Sequence, residues 1–224
     1  MRIWYAITAR LPIEMGHYFD EQPGSTSSPR DVELWLPDMS LTLTTDHGVF
    51  GYGQVDAGSK TLLLKAPAPP LTGHLLDLGC GVGTIALPMA RRAPDATVWA
   101  VDVNRRARNL CEANAAANGI TNIRVSAPDD VPPDLAFDCI WSNPPIHVGK
   151  AALHEMLLSW LGRLSSDGTV AMVVHRYLGA DSLQRWLSQE GYPTTRLASS
   201  SGYRILLTER GRPRSVTASP SDAP

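Results

Sequence analysis

From position 71 onwards, short apolar runs alternate with longer segments in which apolar residues recur at helical spacing. Short runs predict buried strands, and the longer periodic segments predict helices. The predicted strands cover residues 74–78, 97–101, 123–126, 137–142 and 169–175, with a final pair at 194–198 and 202–208. The predicted helices cover residues 83–92, 105–118, 150–164 and 180–190. Strands separated by helices indicate βαβ units, so we expect a parallel sheet with helices on both faces.

The residues before position 71 follow a different pattern. Residues 32–36 and 41–45 alternate between apolar and polar side chains and flank a Pro-Asp-Met-Ser tetrapeptide, which predicts a β-hairpin. Asp56 and Ser59 are residue types that cap helix N-termini, and they precede a short helix predicted over residues 60–64. Prolines that begin at Pro67 end this helix.

These patterns divide the chain into four parts. Residues 1–30 form an N-terminal arm, which is rich in proline, glycine and serine towards its end. Residues 31–70 hold the hairpin and a lead-in helix, residues 71–210 form the α/β core, and residues 211–224 form a polar, disordered tail. Met15 is a candidate translation start. Peptides from before that methionine in mass spectra of the native protein would contradict this hypothesis.

Composition says little about the class of molecule that the protein binds. A chain of 224 residues with 43% hydrophobic and 19% charged residues is typical of a soluble globular protein. A formal charge of −2 gives no overall basic surface, so it does not by itself indicate nucleic acid. The charge is uneven, because seven arginines and three acidic residues lie between Arg176 and Arg214. That segment is either an edge that faces phosphates or a solvated surface with a tail.

The cysteines and the hydropathy pattern favour a cytoplasmic protein. Cys80, Cys111 and Cys139 are too few and too scattered for a disulfide framework or a zinc site, so we expect a reduced setting and no metal. No apolar run is long enough to cross a membrane. The first 14 residues lack the continuous apolar core of a signal peptide. We therefore expect no membrane partner.

A glycine-rich turn follows the first core strand, in the segment Asp77-Leu78-Gly79-Cys80-Gly81-Val82-Gly83. Glycines let the backbone bend sharply and let a ligand lie against it. A dinucleotide-binding turn would place its third glycine at position 84, but the third glycine here is Gly83. This spacing favours S-adenosylmethionine over NAD, because S-adenosylmethionine has no phosphate to bind. A purely structural turn is the alternative.

Acidic residues follow the next two strands. Asp102 lies 23 positions after Gly79, and an acidic residue at about this distance binds ribose hydroxyls in dinucleotide folds. We predict that Asp102 holds a ribose, with a solvated strand-end aspartate as the alternative. Asp129 or Asp130, after the third strand, is a candidate partner for an adenine amino group, with a loop role as the alternative.

The fourth core strand ends in Asn143-Pro144-Pro145. Each proline has φ near about −65° and no N–H group, and the residue before a proline is held extended. We expect a rigid loop that presents the Asn143 carboxamide and a free carbonyl at Pro144, which suits the binding of an amino group. An ordinary strand-ending turn is the alternative. All four strand ends meet at one sheet edge, where open α/β sheets bind ligands.

Together these motifs resemble the class I S-adenosylmethionine-dependent methyltransferases, in particular the methyltransferase small domain family. That family includes bacterial ribosomal RNA guanine-N2 methyltransferases and small archaeal relatives. The resemblance covers roughly residues 17–209, including segments 45–50, 55–59, 142–147 and 201–204. It implies a Rossmann-like, seven-stranded, mostly parallel sheet with an antiparallel last strand.

The resemblance also implies roles for individual residues. It implies that Asn143 and Pro144 hold the target amine and that Pro145, Ile146 and His147 contact the substrate. His147 has a second interpretation, as a residue that only hydrogen-bonds the loop. The expected cofactor contacts come from Asp77, Gly79, Gly81, Gly83, Asp102, Asp129 and Asn143.

One position departs from the family pattern. Nucleic-acid amino-methyltransferases usually carry an aromatic residue that stacks on a flipped base, and Ile146 stands at that position. We still predict an N-methyltransferase that acts on guanine N2 of ribosomal RNA, free or in a ribosomal particle. The hairpin and the arginine-rich segment would help to seat that RNA. The alternatives are a protein side-chain amide or small-molecule amine as acceptor, or a non-catalytic RNA-binding protein.

Overall fold

The computed structural model describes residues 25–210. Most of the predicted arm, the Met15 start and the predicted tail lie outside the described residues. The strands are β1 Arg30–Leu36, β2 Met39–Thr45, β3 Thr72–Leu78, β4 Asp95–Val101, β5 Ile123–Ser126, β6 Phe137–Ser142, β7 Leu164–His175, β8 Thr194–Ser200 and β9 Tyr203–Glu209. The helices are α1 Ala57–Lys65, α2 Ala86–Arg92, α3 Arg105–Ala117, α4 Lys150–Leu161 and α5 Ala180–Gln189. Single 3-10 turns lie at Pro128–Asp130, Ile146–Val148 and Arg176–Leu178.

Seven strands form one sheet in the order β5-β4-β3-β6-β7-β9-β8. The first five of these are parallel neighbours, whereas β9 enters between β7 and β8 and runs antiparallel to both. The predicted mostly parallel sheet with an antiparallel last strand is confirmed, and so is the hairpin of β1 and β2. The order in which strands are added to the sheet reverses at β3, because β4 and β5 lie on one side of it and β6 lies on the other. Ligands bind at such switch points in open α/β sheets.

Both faces of this sheet are covered. One face packs against the hairpin, α1, α2 and α3 through side chains such as Leu34, Leu62 and Cys111. The other face packs against α4 and α5 through side chains such as Trp160 and Leu187. Within residues 25–210, no helix is long and apolar enough to span a membrane.

The hairpin is attached to the core by a buried asparagine. Burial alternates along β1 and β2, so that Leu34 and Leu43 face inwards. Asn114 of α3 accepts the N–H of Thr44 through Oδ1 at 2.8 Å. Its Nδ2 donates to the carbonyls of Thr44 at 3.0 Å and Val82 at 2.9 Å. Because a buried amide without partners would be costly, these bonds hold the hairpin to the glycine turn.

Several element boundaries differ from the sequence-based prediction, among them the start of α1, which lies at Ala57 rather than at position 60. Helix α2 begins at Ala86 rather than at position 83, because residues 79–85 form the glycine turn. Pro88 then lies in the first turn of the helix, where backbone N–H groups have no intrahelical partner, so proline is tolerated there. Strand β7 begins at Leu164 rather than at position 169, which shortens α4.

Candidate active site

A cavity of about 240 Å³ opens at the carboxyl ends of β3, β4, β6 and β7. A smaller recess beneath the glycine turn adjoins it through shared lining residues. The predicted site residues that line the main cavity are Gly79, Gly81, Asp102, Asn143, Pro144, Pro145, Ile146 and His147. The structure therefore brings most of the predicted site together. Within residues 25–210, no cluster of three His, Cys, Asp or Glu side chains could hold a metal ion.

Gly79 and Gly81 expose their backbone to this cavity. Their φ angles of 79° and 54° lie in the left-handed region, which glycine adopts without steric cost. A Cβ atom built on either residue would meet nothing within 4 Å in the described chain. The N–H groups of Gly79 and Cys80 both bond the Val101 carbonyl, at 2.8 and 3.0 Å, which fixes the turn against the end of β4. A flat ligand such as an adenosyl group can therefore lie directly on this backbone.

Asp102 lies at the end of β4 and lines the cavity. Its Oδ2 accepts the N–H of Gly81 at 2.8 Å, and its Oδ1 accepts the N–H of Asn104 at 2.9 Å. Burial raises the pKa of Asp102 above its ordinary value, although the N–H groups of Asn104 and Gly81 act to lower it. A carboxylate has about four acceptor positions, so both oxygens retain capacity for ligand hydroxyls.

Asp77 is fully buried beneath the glycine turn. Its Oδ2 accepts the N–H of Ala86 at 2.8 Å, at the start of α2. Burial raises the pKa of Asp77 to about 8. Its Oδ1 has no hydrogen-bond partner in the part of the chain that the structure describes, which is costly for a buried oxygen. A cationic ligand in the neighbouring cavity would stabilise the ionised carboxylate, and S-adenosylmethionine carries an ammonium and a sulfonium.

Two predicted cofactor residues besides Asp77 do not line the cavity. A Cβ atom on Gly83 would collide with Leu87 and lie 2.9 Å from the Sγ of Cys111, so this glycine lets α2 and α3 pack closely. Asp129 lies exposed in the 3-10 turn after β5. The cofactor contacts of Gly83 and Asp129 stay predictions.

The carboxamide of Asn143 is oriented by the start of α1. Its Nδ2 donates to Oδ2 of Asp56 at 2.8 Å and to Oγ of Ser59 at 3.1 Å. Because an ionised carboxylate only accepts hydrogen bonds, the nitrogen of the amide must face Asp56. No side chain or backbone group of residues 25–210 donates to Oδ1 of Asn143. This residue therefore offers a free acceptor oxygen on the cavity wall.

The same oxygen of Asp56 also caps α1. Oδ2 accepts the N–H of Ser59 at 2.7 Å, which confirms the predicted capping role of Asp56. The contacts of Asp56 and Ser59 with Asn143 had no signal in the sequence, because these residues lie 87 and 84 positions from it.

The loop after Asn143 is rigid, but it differs from the expectation in one respect. Pro145 has φ −73° and ψ 77°, which is an inverse γ-turn, and the Ile146 N–H donates to the Pro144 carbonyl at 2.8 Å. The expectation of a free Pro144 carbonyl is therefore wrong, since this N–H occupies one lone pair. A carbonyl oxygen has two lone pairs, so one remains for a ligand. His147 lies exposed at the rim.

Several residues to which the sequence analysis gave no individual role complete the wall. Val49 and Phe50 come from the loop after the hairpin, and His175 and Leu178 lie at and just after the end of β7. His175 follows the rule that ligands bind at the carboxyl ends of parallel strands, so the strand pattern could have identified it. Tyr203 could not be found in this way, because β9 is antiparallel and its first residue reaches the cavity.

The arginine-rich segment is largely engaged within the fold. Arg196 and Arg204 both pair with the carboxylate of Asp181, the former at 2.9 Å. Arg210 donates to the carbonyl of Leu164, and the last two arginines of the segment lie beyond the described residues. Arg176 is different, because it lies in the 3-10 turn between two cavity-lining residues and is exposed.

Comparison with known proteins identifies the family. The sequence profile of the methyltransferase small domain matches residues 40–207. YbxB of Bacillus subtilis, which is uncharacterised, is 32% identical over 197 residues, covering 87% of this chain and 98% of YbxB. Ribosomal RNA small subunit methyltransferase C of Pseudomonas aeruginosa is 34% identical over 196 residues, covering 84% of this chain and 57% of that protein.

A solved structure shows the same fold. The 16S rRNA N2 G1207 methyltransferase (RsmC) of T. thermophilus, in complex with AdoMet and guanosine, superposes with a TM-score of 0.69 at 25% identity. The match covers 84% of this chain and 52% of that chain. The chain spans about half the length of the ribosomal RNA methyltransferases that it matches. With the family profile matched over most of its length, the chain belongs to the methyltransferase small domain family, and it is an S-adenosylmethionine-dependent methyltransferase.

Proposed function

We propose that this protein methylates the N2 amino group of a guanine in ribosomal RNA. The observation that carries the proposal is the oriented carboxamide of Asn143, which offers an acceptor oxygen beside the glycine turn. The relatives named as ribosomal RNA methyltransferases support RNA as the substrate class. The guanosine in the complex of the T. thermophilus neighbour supports guanine as the base.

The reaction requires activation of a weak nucleophile. The lone pair of an exocyclic amine on a purine is delocalised into the ring, so the amine attacks poorly. Oδ1 of Asn143 and the remaining lone pair of the Pro144 carbonyl accept its two N–H groups. These bonds favour a pyramidal nitrogen, which localises the lone pair. Because both acceptors are held in place before the substrate arrives, they need no reorganisation during the reaction.

The cofactor supplies an electrophilic methyl group on its sulfonium. Asp102 and the glycine turn hold the adenosyl end, and the Asn-Pro-Pro loop holds the amine, so the protein mainly aligns nitrogen and methyl. The amine becomes acidic once it is methylated and loses its proton to water, so the mechanism needs no strong general base.

The substrate class is tested with labelled cofactor. The protein is incubated with methyl-labelled S-adenosylmethionine and with RNA, protein or small-molecule fractions from cells that lack it. We expect label in ribosomal RNA, and nuclease digestion followed by mass spectrometry should give N2-methylguanosine at a defined position. Label in protein alone would identify a side-chain amide as acceptor, and label in the small-molecule fraction alone would identify a small amine. Either result would refute the proposal.

A substitution at Asp56 tests how Asn143 is oriented. We expect Asp56→Ala to lower kcat by about tenfold, because the carboxamide then loses a hydrogen bond to a charged partner and can rotate. The lost helix cap should also lower stability by about 1 kcal/mol. The measurements are steady-state kinetics and thermal unfolding.

The matched control is Asp56→Asn. Its side-chain oxygen can still accept both the Ser59 N–H and the Asn143 Nδ2–H, so activity should stay within about threefold of wild type. An unchanged kcat in Asp56→Ala would show that Asn143 holds its orientation without this partner.

A further inference from the structure

Three of the seven large apolar side chains that are exposed within residues 25–210 lie at the mouth of the cavity. Phe50 and Leu178 line it and are 53% and 43% exposed, and Tyr177, beside Leu178, is 76% exposed. Exposed apolar groups beside a binding cavity are typical of an interaction surface. Tyr177 and Leu178 belong to the single 3-10 turn that follows β7.

A row of rings connects this mouth with the interior of the site. Tyr203 meets His175 edge-on, with ring centroids 5.0 Å apart, and His175 lies 5.5 Å from the ring of Tyr177. At the inner end, a Cβ atom on Gly58 would lie 2.9 Å from both Tyr203 Cε1 and Asp56 Oδ2, so Tyr203 is next to the residue that orients Asn143. We call Tyr203, His175 and Tyr177 the aromatic wall.

The outer end of the aromatic wall carries a cation. The guanidinium of Arg176 lies 4.4 Å from the ring centre of Tyr177, and its Nη2 donates to the Tyr177 hydroxyl at 2.6 Å. No carboxylate of residues 25–210 pairs with Arg176, in contrast to Arg196 and Arg204, which share Asp181. A ring and an unpaired guanidinium side by side are the groups that bind a base and its phosphate in single-stranded nucleic acid.

We propose that the outer end of the aromatic wall binds the nucleotide next to the target guanine in an unpaired RNA segment. Its base stacks on Tyr177, and its phosphate contacts Arg176. The inference rests on the proposed function, since it requires RNA as the substrate. Ile146 cannot stack on the target base as an aromatic residue would. In this arrangement the aromatic stacking comes from Tyr177, which contacts the flanking base. A base inside a duplex has no free face for Tyr177, so the substrate segment must be single-stranded.

The first test uses short RNA oligonucleotides taken from around the methylated position. Tyr177→Ala should raise KM for a single-stranded oligonucleotide by about tenfold, the scale of losing one stacked base. Its kcat and its Kd for S-adenosylmethionine should not change. Tyr177→Phe should keep the wild-type KM, because the ring remains. Leu71→Ala is the matched control, because it removes another largely exposed apolar side chain, just before β3 and at the opposite end of the parallel strands.

The second test distinguishes the contribution of the Arg176 cation to RNA binding from that of the Tyr177 ring. The slope of log Kd for the oligonucleotide against log salt concentration should fall in magnitude by about 0.7 in Arg176→Ala, as expected when one contact to a single-strand phosphate is lost. Tyr177→Ala should leave that slope unchanged. The same oligonucleotide annealed to its complement should be methylated at least about tenfold more slowly.

The outcomes of these tests distinguish failure of the flanking-nucleotide site from failure of the proposed RNA methylation. If wild-type protein methylates the oligonucleotide and Tyr177→Ala does so with the same KM, the inference is refuted and the function stands. Equal rates on single-stranded and annealed RNA would refute it as well. If wild-type protein labels no RNA in any form, the proposed function itself is refuted.

Discussion

Asn143→Ala should lower kcat for methylation by at least about 10²-fold, the usual scale for loss of one preorganised polar group at a reacting centre. The substitution removes the acceptor oxygen that Asp56 and Ser59 hold in place. The Pro144 carbonyl cannot compensate, because the Ile146 N–H already uses one of its lone pairs. The lone pair of the amine then stays delocalised in the ring.

The measurement is single-turnover methylation at saturating cofactor and RNA, together with calorimetry of cofactor binding. The Kd for S-adenosylmethionine should change by less than about threefold, since the glycine turn and Asp102 are intact. Asn109→Ala, on the exposed side of α3, is the matched control and should behave as wild type. If Asn143→Ala turned over at close to the wild-type rate, Asn143 would have no role in activating the amine.

Asp102→Ala should instead weaken the binding of the cofactor. Two hydrogen bonds from ribose hydroxyls to a carboxylate contribute together about 3 kcal/mol or more, which corresponds to a rise of about 10²-fold or more in the Kd for S-adenosylmethionine. The loss also frees the N–H groups of Gly81 and Asn104, so the turn itself loosens. Isothermal titration calorimetry measures the change directly.

Asp129→Ala provides the comparison. Its predicted contact is a single hydrogen bond that the exposed carboxylate accepts from an adenine amino group, so the Kd for S-adenosylmethionine should rise by less than about tenfold. Asp102→Asn retains one acceptor oxygen and should fall between the two alanine variants. If Asp102→Ala bound the cofactor as tightly as wild type, the ribose assignment would be wrong.

The part of the cavity that we propose to hold the cofactor was predictable because its residues lie at strand ends. Glycines at alternate positions after β3 and an aspartate after β4 are local patterns, and the parallel sheet brings the ends of both strands to one edge. The same reasoning could not classify Gly83, because spacing alone does not distinguish a glycine that faces a ligand from one that lets two helices pack. The start of α2 was misplaced for a related reason, since the turn extends to residue 85.

The part of the cavity that we propose to bind the methyl acceptor was only partly predictable from the sequence. The Asn-Pro-Pro loop is visible in the sequence, but the group that orients Asn143 comes from Asp56, far away along the chain. Tyr203 reaches the cavity only because β9 is inserted antiparallel, so a rule about strand ends misses it. Contacts of this kind depend on the order of strands in the finished sheet, which periodicity does not encode.

Because Asn114 attaches the hairpin to the core, the smallest active fragment of this protein should include the hairpin. A chain cut just before β3 would keep every strand of the main sheet, yet it would lack Asp56 and would leave the Asn114 carboxamide without its two bonds to Thr44. The leucines of the hairpin would also no longer cover α2 and α3. The segment before the sheet is therefore an integral part of the catalytic unit, and a shortened form of the protein should begin upstream of β1.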